Sequence, residues 1–167
     1  MSGRFSWVMA VFAVVITVGC SGIEAHDTGE VVDLTEGSAA DIEELEQFFG
    51  NGSREDFCSG EQISTESAER MVRITQTGPH ETIYSTFSRI DAIATLFEMC
   101  GDPWGMFPTA YRHITRRIIQ AIETGEIDDR EWGRRIVVDF AGRYLANLRE
   151  ALHGRDSSYA WKQYYYL

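Results

Sequence analysis

Positive charge is scarce in this sequence. Fifteen Lys and Arg stand against 26 Asp and Glu in 167 residues, giving a formal charge of −11 and a pI near 4.7. Nucleic acid demands a basic surface, so no nucleic-acid partner is expected. Long apolar runs are also missing. The run Trp7 to Val18, WVMAVFAVVITV, spans about 18 Å as a helix against a hydrocarbon core of about 30 Å. A polytopic membrane protein is excluded. Only three cysteines occur, Cys20, Cys58 and Cys100. None has a second cysteine three positions away, so thioredoxin-like and zinc-ribbon sites are absent. There is no Gly-rich phosphate loop, no His-Glu-x-x-His, no calcium loop and no Gly-x-Ser-x-Gly elbow. No metal and no cofactor are expected. Composition is otherwise that of a globular chain, with 44% apolar and 25% charged residues. The length suits one domain with room for a tail or linker.

The amino terminus carries the first positive signal. Arg4 precedes the short apolar run, and small residues come after it. That order reads as a signal peptide over residues 1–19. The run ends in Thr17-Val18-Gly19-Cys20-Ser21, which resembles a bacterial lipobox. The resemblance implies that Cys20 becomes the lipid-modified amino terminus, with membrane lipid as its partner. Two or three acyl chains, at about 0.8 kcal/mol per buried CH₂, hold a protein on a bilayer. The expected location is the cell envelope. With Cys20 lipidated, Cys58 and Cys100 remain as an even pair, and a disulfide between them suits an oxidising compartment.

Charge divides the chain beyond Cys20. From Ser21 to Glu69 there are fourteen acids and one base, Arg54; from Arg70 to Leu167 there are twelve acids and thirteen bases. Residues 20–37 read as an acidic, self-repelling tether. Residues 38–78 form a short-helix and loop region. Within it Ser38 to Phe49 is a helix candidate with Ile42, Leu45 and Phe49 on one face. Residues 79–167 read as the helical domain. Pro79 suits a first helical position, and Ile83, Phe87, Ile90, Ala94 and Phe97 recur at helical spacing up to Gly101. Asp102-Pro103 starts the next helix, whose stripe is Phe107, Tyr111, Ile114, Ile118 and Ile122, closed by Gly125. Asp128 and Glu131 have capping-box spacing. The helix after them carries Trp132, Ile136, Val137, Phe140, Tyr144, Leu148 and Leu152, and Gly154 ends it. A last segment holds Trp161, Tyr164, Tyr165 and Tyr166, as a final helix or a docked tail. The expected fold is all-α: four or five antiparallel helices packed as a bundle.

One constellation could carry chemistry. Asp139 lies between Val138 and Phe140, where a buried carboxylate must be paired or protonated. Arg143, four residues on, is placed for an ion pair. With Tyr111 and His113 these residues could instead line a polar pocket for a ligand or for acid–base work.

The stretch Ile90 to Trp161 resembles an uncharacterised bacterial helical family, domain of unknown function 5995. The likeness rests on Asp102-Pro103, Phe107, Tyr111, Ile114-Thr115, Gly125-Glu126-Ile127-Asp128-Asp129 and Ala160-Trp161. Its most specific element is Phe140-Ala141-Gly142-Arg143-Tyr144-Leu145. The resemblance implies an all-α domain of unknown activity. Members are expected to continue past Ala-Trp with a further helical half, whereas this sequence has six residues after Trp161. A reduced member with a binding role is implied. The overall expectation is a lipid-anchored envelope protein, non-enzymatic, acting as a binding or scaffolding module for an envelope protein partner. The alternative is a small enzyme or ligand-binding domain with its pocket around Asp139 and Arg143.

Overall fold

Gln47, Gly50 and residues 52–165 are described by the computed structural model. The leader, Cys20, the tether and all but Gln47 of the segment Ser38–Phe49 lie outside the described residues. Among those described, six helices and one two-stranded hairpin occur in order. They are α1 (Arg54–Phe57), β1 (Cys58–Ser59), β2 (Gln62–Ile63), α2 (Thr65–Ile74), α3 (Ile83–Cys100), α4 (Met106–Glu123), α5 (Arg130–Leu152) and α6 (Tyr159–Tyr165), with a 3₁₀ turn at Pro103–Gly105 before α4. The fold is an all-α bundle.

The centre is α3. It is buried nearly all round: Ile83, Phe87, Ile90, Ile93, Leu96, Phe97 and Cys100 are in the core, as are Ala92 and Ala94. A helix apolar on every side is a central one. Each large apolar side chain so buried contributes roughly 1.5–3 kcal/mol. Packed against α3 are α4, α5 and α2, and α6 packs on α5. Met71 and Ile74 of α2, and Phe57 of α1, belong to the same core.

Helix ends obey their side chains. Pro79 does not open α3. Thr82 caps it instead, its Oγ1 accepting from Ser85 N at 3.1 Å, with Ser85 Oγ accepting from Thr82 N at 2.9 Å. That reciprocal pair satisfies two otherwise orphaned donors, which a proline three residues earlier cannot do. Gly101 ends the helix at φ +73°, a conformation costly for any side chain. Asp102 then serves two elements. Its Oδ1 accepts from Trp104 N at 2.9 Å, capping the 3₁₀ turn, and its Oδ2 accepts from Ile63 N at 3.2 Å. The cap of α5 is Asp129, accepting from Trp132 N at 2.8 Å, rather than Asp128. Met71 to Ile74 form the last turn of α2.

Cys58 and Cys100 form a disulfide, with Cα atoms 5.3 Å apart across a sequence separation of 42. It fastens the hairpin to the end of α3. Beside it Arg54 donates from Nε to Met99 O at 3.0 Å and from Nη2 to Cys100 O at 3.3 Å.

Candidate functional site

The four residues expected to line a polar pocket do not converge. Tyr111 is on the inward face of α4, and its hydroxyl donates to Val137 O at 2.9 Å. Burial pushes that hydroxyl well above the ordinary tyrosine range. His113 is two residues further on, about 200° around the helix, and exposed. It lies on the side of Glu98, an α3 residue. Partial burial raises the Glu98 carboxyl, but bonds from the Thr109 hydroxyl at 2.7 Å and from Arg112 at 2.8 and 3.1 Å outweigh it. The charges of Arg112 and His113 add to that, and the carboxyl ends below its ordinary range. This is a clamp between α3 and α4.

Asp139 and Arg143 are both exposed on α5, and among the described residues no ion pair joins them. The buried stripe of α5 runs through Gly133, Val137, Ala141, Tyr144, Leu145, Leu148 and Ala151. Asp139 sits roughly opposite that stripe, so its apolar sequence neighbours do not make it buried. Water solvates the carboxylate without need of Arg143.

A different grouping emerges. Helical spacing places Trp132, Ile136 and Phe140 in the apolar set of α5, yet they are 50%, 46% and 36% exposed. The close face of α5 is taken by smaller residues: a Cβ at Gly133 would meet Ile122 Cδ1 at 3.3 Å. Closer packing there rotates the tryptophan outward. At the other end the Phe140 ring is 5.1 Å from Tyr111 and 6.1 Å from Phe107. Helices α4 and α5 therefore run antiparallel, Ile122 beside Gly133 and Phe107 beside Phe140. Half-buried Ile114 and Ile118 lie on α4 between those two levels. The result is an apolar strip along α5, flanked on one side by α4 and on the other by Arg135, Asp139 and Arg143, all exposed. Contiguous exposed apolar surface with a polar rim marks an interaction site. The sequence does carry a signal for it: α5 has two apolar stripes, and one helix face can meet only one core.

The C-terminal aromatics are packing. Tyr164 donates its hydroxyl to Trp104 O at 2.6 Å and accepts from Phe107 N at 3.0 Å; Trp104 Nε1 donates to Tyr165 O at 3.2 Å. Trp161 meets Phe107 edge-on at 4.8 Å and lies 5.2 Å from Tyr144. Thus α6 fastens the start of α4. Burial raises the hydroxyls of Tyr144, Tyr164 and Tyr165 above the ordinary range.

A polar knot has no counterpart among the sequence expectations. Arg89, only 9% exposed, donates from Nη1 to Ile74 O at 2.9 Å and from Nε to Glu81 Oε1 at 3.2 Å. Ser85 Oγ donates to the same carboxylate oxygen at 2.8 Å. The knot joins the end of α2 to the start of α3.

Among the described residues no group of three His, Cys, Asp or Glu is placed to hold a metal ion, and no helix is long and apolar enough to cross a membrane. No curated protein and no solved structure matches the chain. Residues 83–166, from the first turn of α3 through α6, match the profile described as Family of unknown function (DUF5995), and with half its length so matched the chain belongs to that family.

Proposed function

We propose that this protein is a lipid-anchored component of the cell envelope, held by Cys20, whose helical domain is a binding or scaffolding module. The observation that carries the module is the strip Trp132, Ile136 and Phe140, three large apolar side chains one turn apart on an outer face. Burying such a strip is worth roughly 25 cal/mol per Å² of apolar area, which gives a partner a reason to stay. The anchor rests on the leader sequence and on Cys20 after Gly19. The Cys58–Cys100 disulfide fits an oxidising compartment.

Two changes test the two halves. Cys20→Ala should move the protein from the membrane fraction to the soluble one; a protein that stays on the membrane contradicts the anchor. Ile136→Asp replaces an exposed side chain, so helicity and melting should hold while envelope assemblies containing the protein are lost. Unchanged assemblies would contradict the module.

A further inference from the structure

We propose that the apolar strip of α5 binds a second copy of the same chain, α5 against α5, antiparallel about a two-fold axis. The inference rests on reading the strip as a binding face, and it names the partner. Charge carries it. Beside Trp132, Ile136 and Phe140 runs a second row, one residue earlier: Glu131, Arg135, Asp139 and Arg143. Its members are four apart, so they share one ridge of the helix, and their signs alternate. All four are exposed, and among the described residues none of them takes part in an ion pair. Alternating charges four apart on a solvated helix can pair along it. These do not.

Read backwards, the row has the opposite sign at every place. An antiparallel copy therefore meets it with complementary charge throughout. Glu131 faces Arg143 of the second copy, Arg135 faces its Asp139, and symmetry repeats both pairs. A parallel copy would put the two rows on opposite sides of the contact. A partner of uniform charge would satisfy only half of the row.

The register that aligns these charges also seats the apolar rows. It sets the two-fold axis at the level of Val137. Ile136 is then displaced by two residues, about 3 Å, from Ile136 of the second copy. Side chains four residues apart are about 6 Å apart along a ridge, so those of one copy fall midway between those of the other. Ile136 enters between Ile136 and Phe140 of the second copy. Trp132 lies beyond its Phe140, level with its Arg143, where a guanidinium can stack on the indole. Ridges of this kind are inclined about 26° to each helix axis, so aligning them crosses the two helices at about −50°, the commonest helix packing. A contact one helix wide and about 18 Å long lies at the low end of specific interfaces, under about 1,200 Å² in total. The expected dissociation constant is micromolar.

The test uses two differently tagged forms of the full chain, produced in the same cells, each with p-benzoylphenylalanine in place of Ile136. After illumination, adducts carrying both tags are expected, mapped by mass spectrometry to residues 132–143 of the other copy. Arg135→Glu in both forms, or Asp139→Arg in both, sets like charges face to face twice. Either change should lower the mixed-tag yield about tenfold with helicity unchanged. Arg135→Glu in one form and Asp139→Arg in the other restores opposite charges in both places, and the yield should return. Adducts only on another protein or on lipid would overturn the second copy while leaving the strip as a binding face. An absence of adducts would overturn both readings. A mixed-tag yield that ignores the single changes, or that the complementary pair fails to restore, would overturn the antiparallel pairing.

Discussion

Arg89 shows how much one side chain can settle. Its guanidinium is nearly buried and serves the last turn of α2 and the first turns of α3 at once. Arg89→Ala leaves the Glu81 carboxylate half-satisfied in a buried place. A loss of roughly 3 kcal/mol is expected, measured by urea unfolding; a loss below about 1 kcal/mol would mean that Ser85 and Thr86 suffice. Tyr144 tests the opposite sign. It is fully buried, and its hydroxyl has no hydrogen-bond partner among the described residues. Tyr144→Phe should therefore be neutral or stabilising by about 1 kcal/mol. The same burial fixes a pH dependence. Tyr111, Tyr144, Tyr164 and Tyr165 hold their protons more tightly folded than unfolded. The stability they contribute is complete below about pH 10 and is lost as pH rises beyond it, because the unfolded chain ionises first. Urea unfolding at pH 8 and above pH 10, with absorbance at 295 nm, should show a delayed tyrosine titration that coincides with unfolding.

At the scale of elements, helix existence and helix stops are legible in the sequence, and helix rotation is legible on α3 but only in part on α4 and α5. Gly101, Gly125 and Gly154 end α3, α4 and α5 at positive φ, as their places after apolar stripes imply. On α5 the expected stripe holds in part: Val137, Tyr144 and Leu148 face inward, whereas Trp132, Ile136 and Phe140 give way to the smaller Gly133 and Ala141, and at Gly133 the neighbouring helix comes close. On α4 the buried set is Pro108, Tyr111, Thr115, Ile119, Ala121 and Ile122: Tyr111 and Ile122 hold their expected places, while Pro108, Thr115 and Ile119 stand one step around from Phe107, Ile114 and Ile118. A threonine in the core hides that register from a hydrophobicity count. The pocket of Tyr111, His113, Asp139 and Arg143 fails for the same reason: sequence proximity joins its members, while helical geometry sends Tyr111 and His113 to different faces. The sharpest element-level test is Gly105. A Cβ there would lie 2.7 Å from Phe97 Cβ, an atom fixed to the α3 backbone. Gly105→Ala should cost roughly 1–3 kcal/mol through the joint between α3 and α4. An unaffected melting temperature would mean that this joint yields.

The whole molecule is divided in two ways, by charge and by family. Acids dominate up to Glu69, and the balanced remainder contains the family match at residues 83–166. The disulfide crosses that division, since Cys58 lies outside the match and Cys100 within it. Closing a loop of this length contributes roughly 4 kcal/mol in the chain-entropy model. Reduction should lower the melting temperature and loosen α1 and the hairpin first, because the hydrogen bonds of Arg54 and Asp102 and the packing of Phe57 then hold them to α3 without a covalent tie. Hydrogen exchange with and without reductant would show it. The pairing is readable by arithmetic once Cys20 is set aside, and that step links the disulfide to the anchor. The most direct test of the account is accordingly the intact mass of the protein taken from the membrane fraction, with and without reduction. The account predicts a chain beginning at an acylated Cys20 that gains two hydrogens on reduction. A soluble, unacylated chain with free thiols would contradict it.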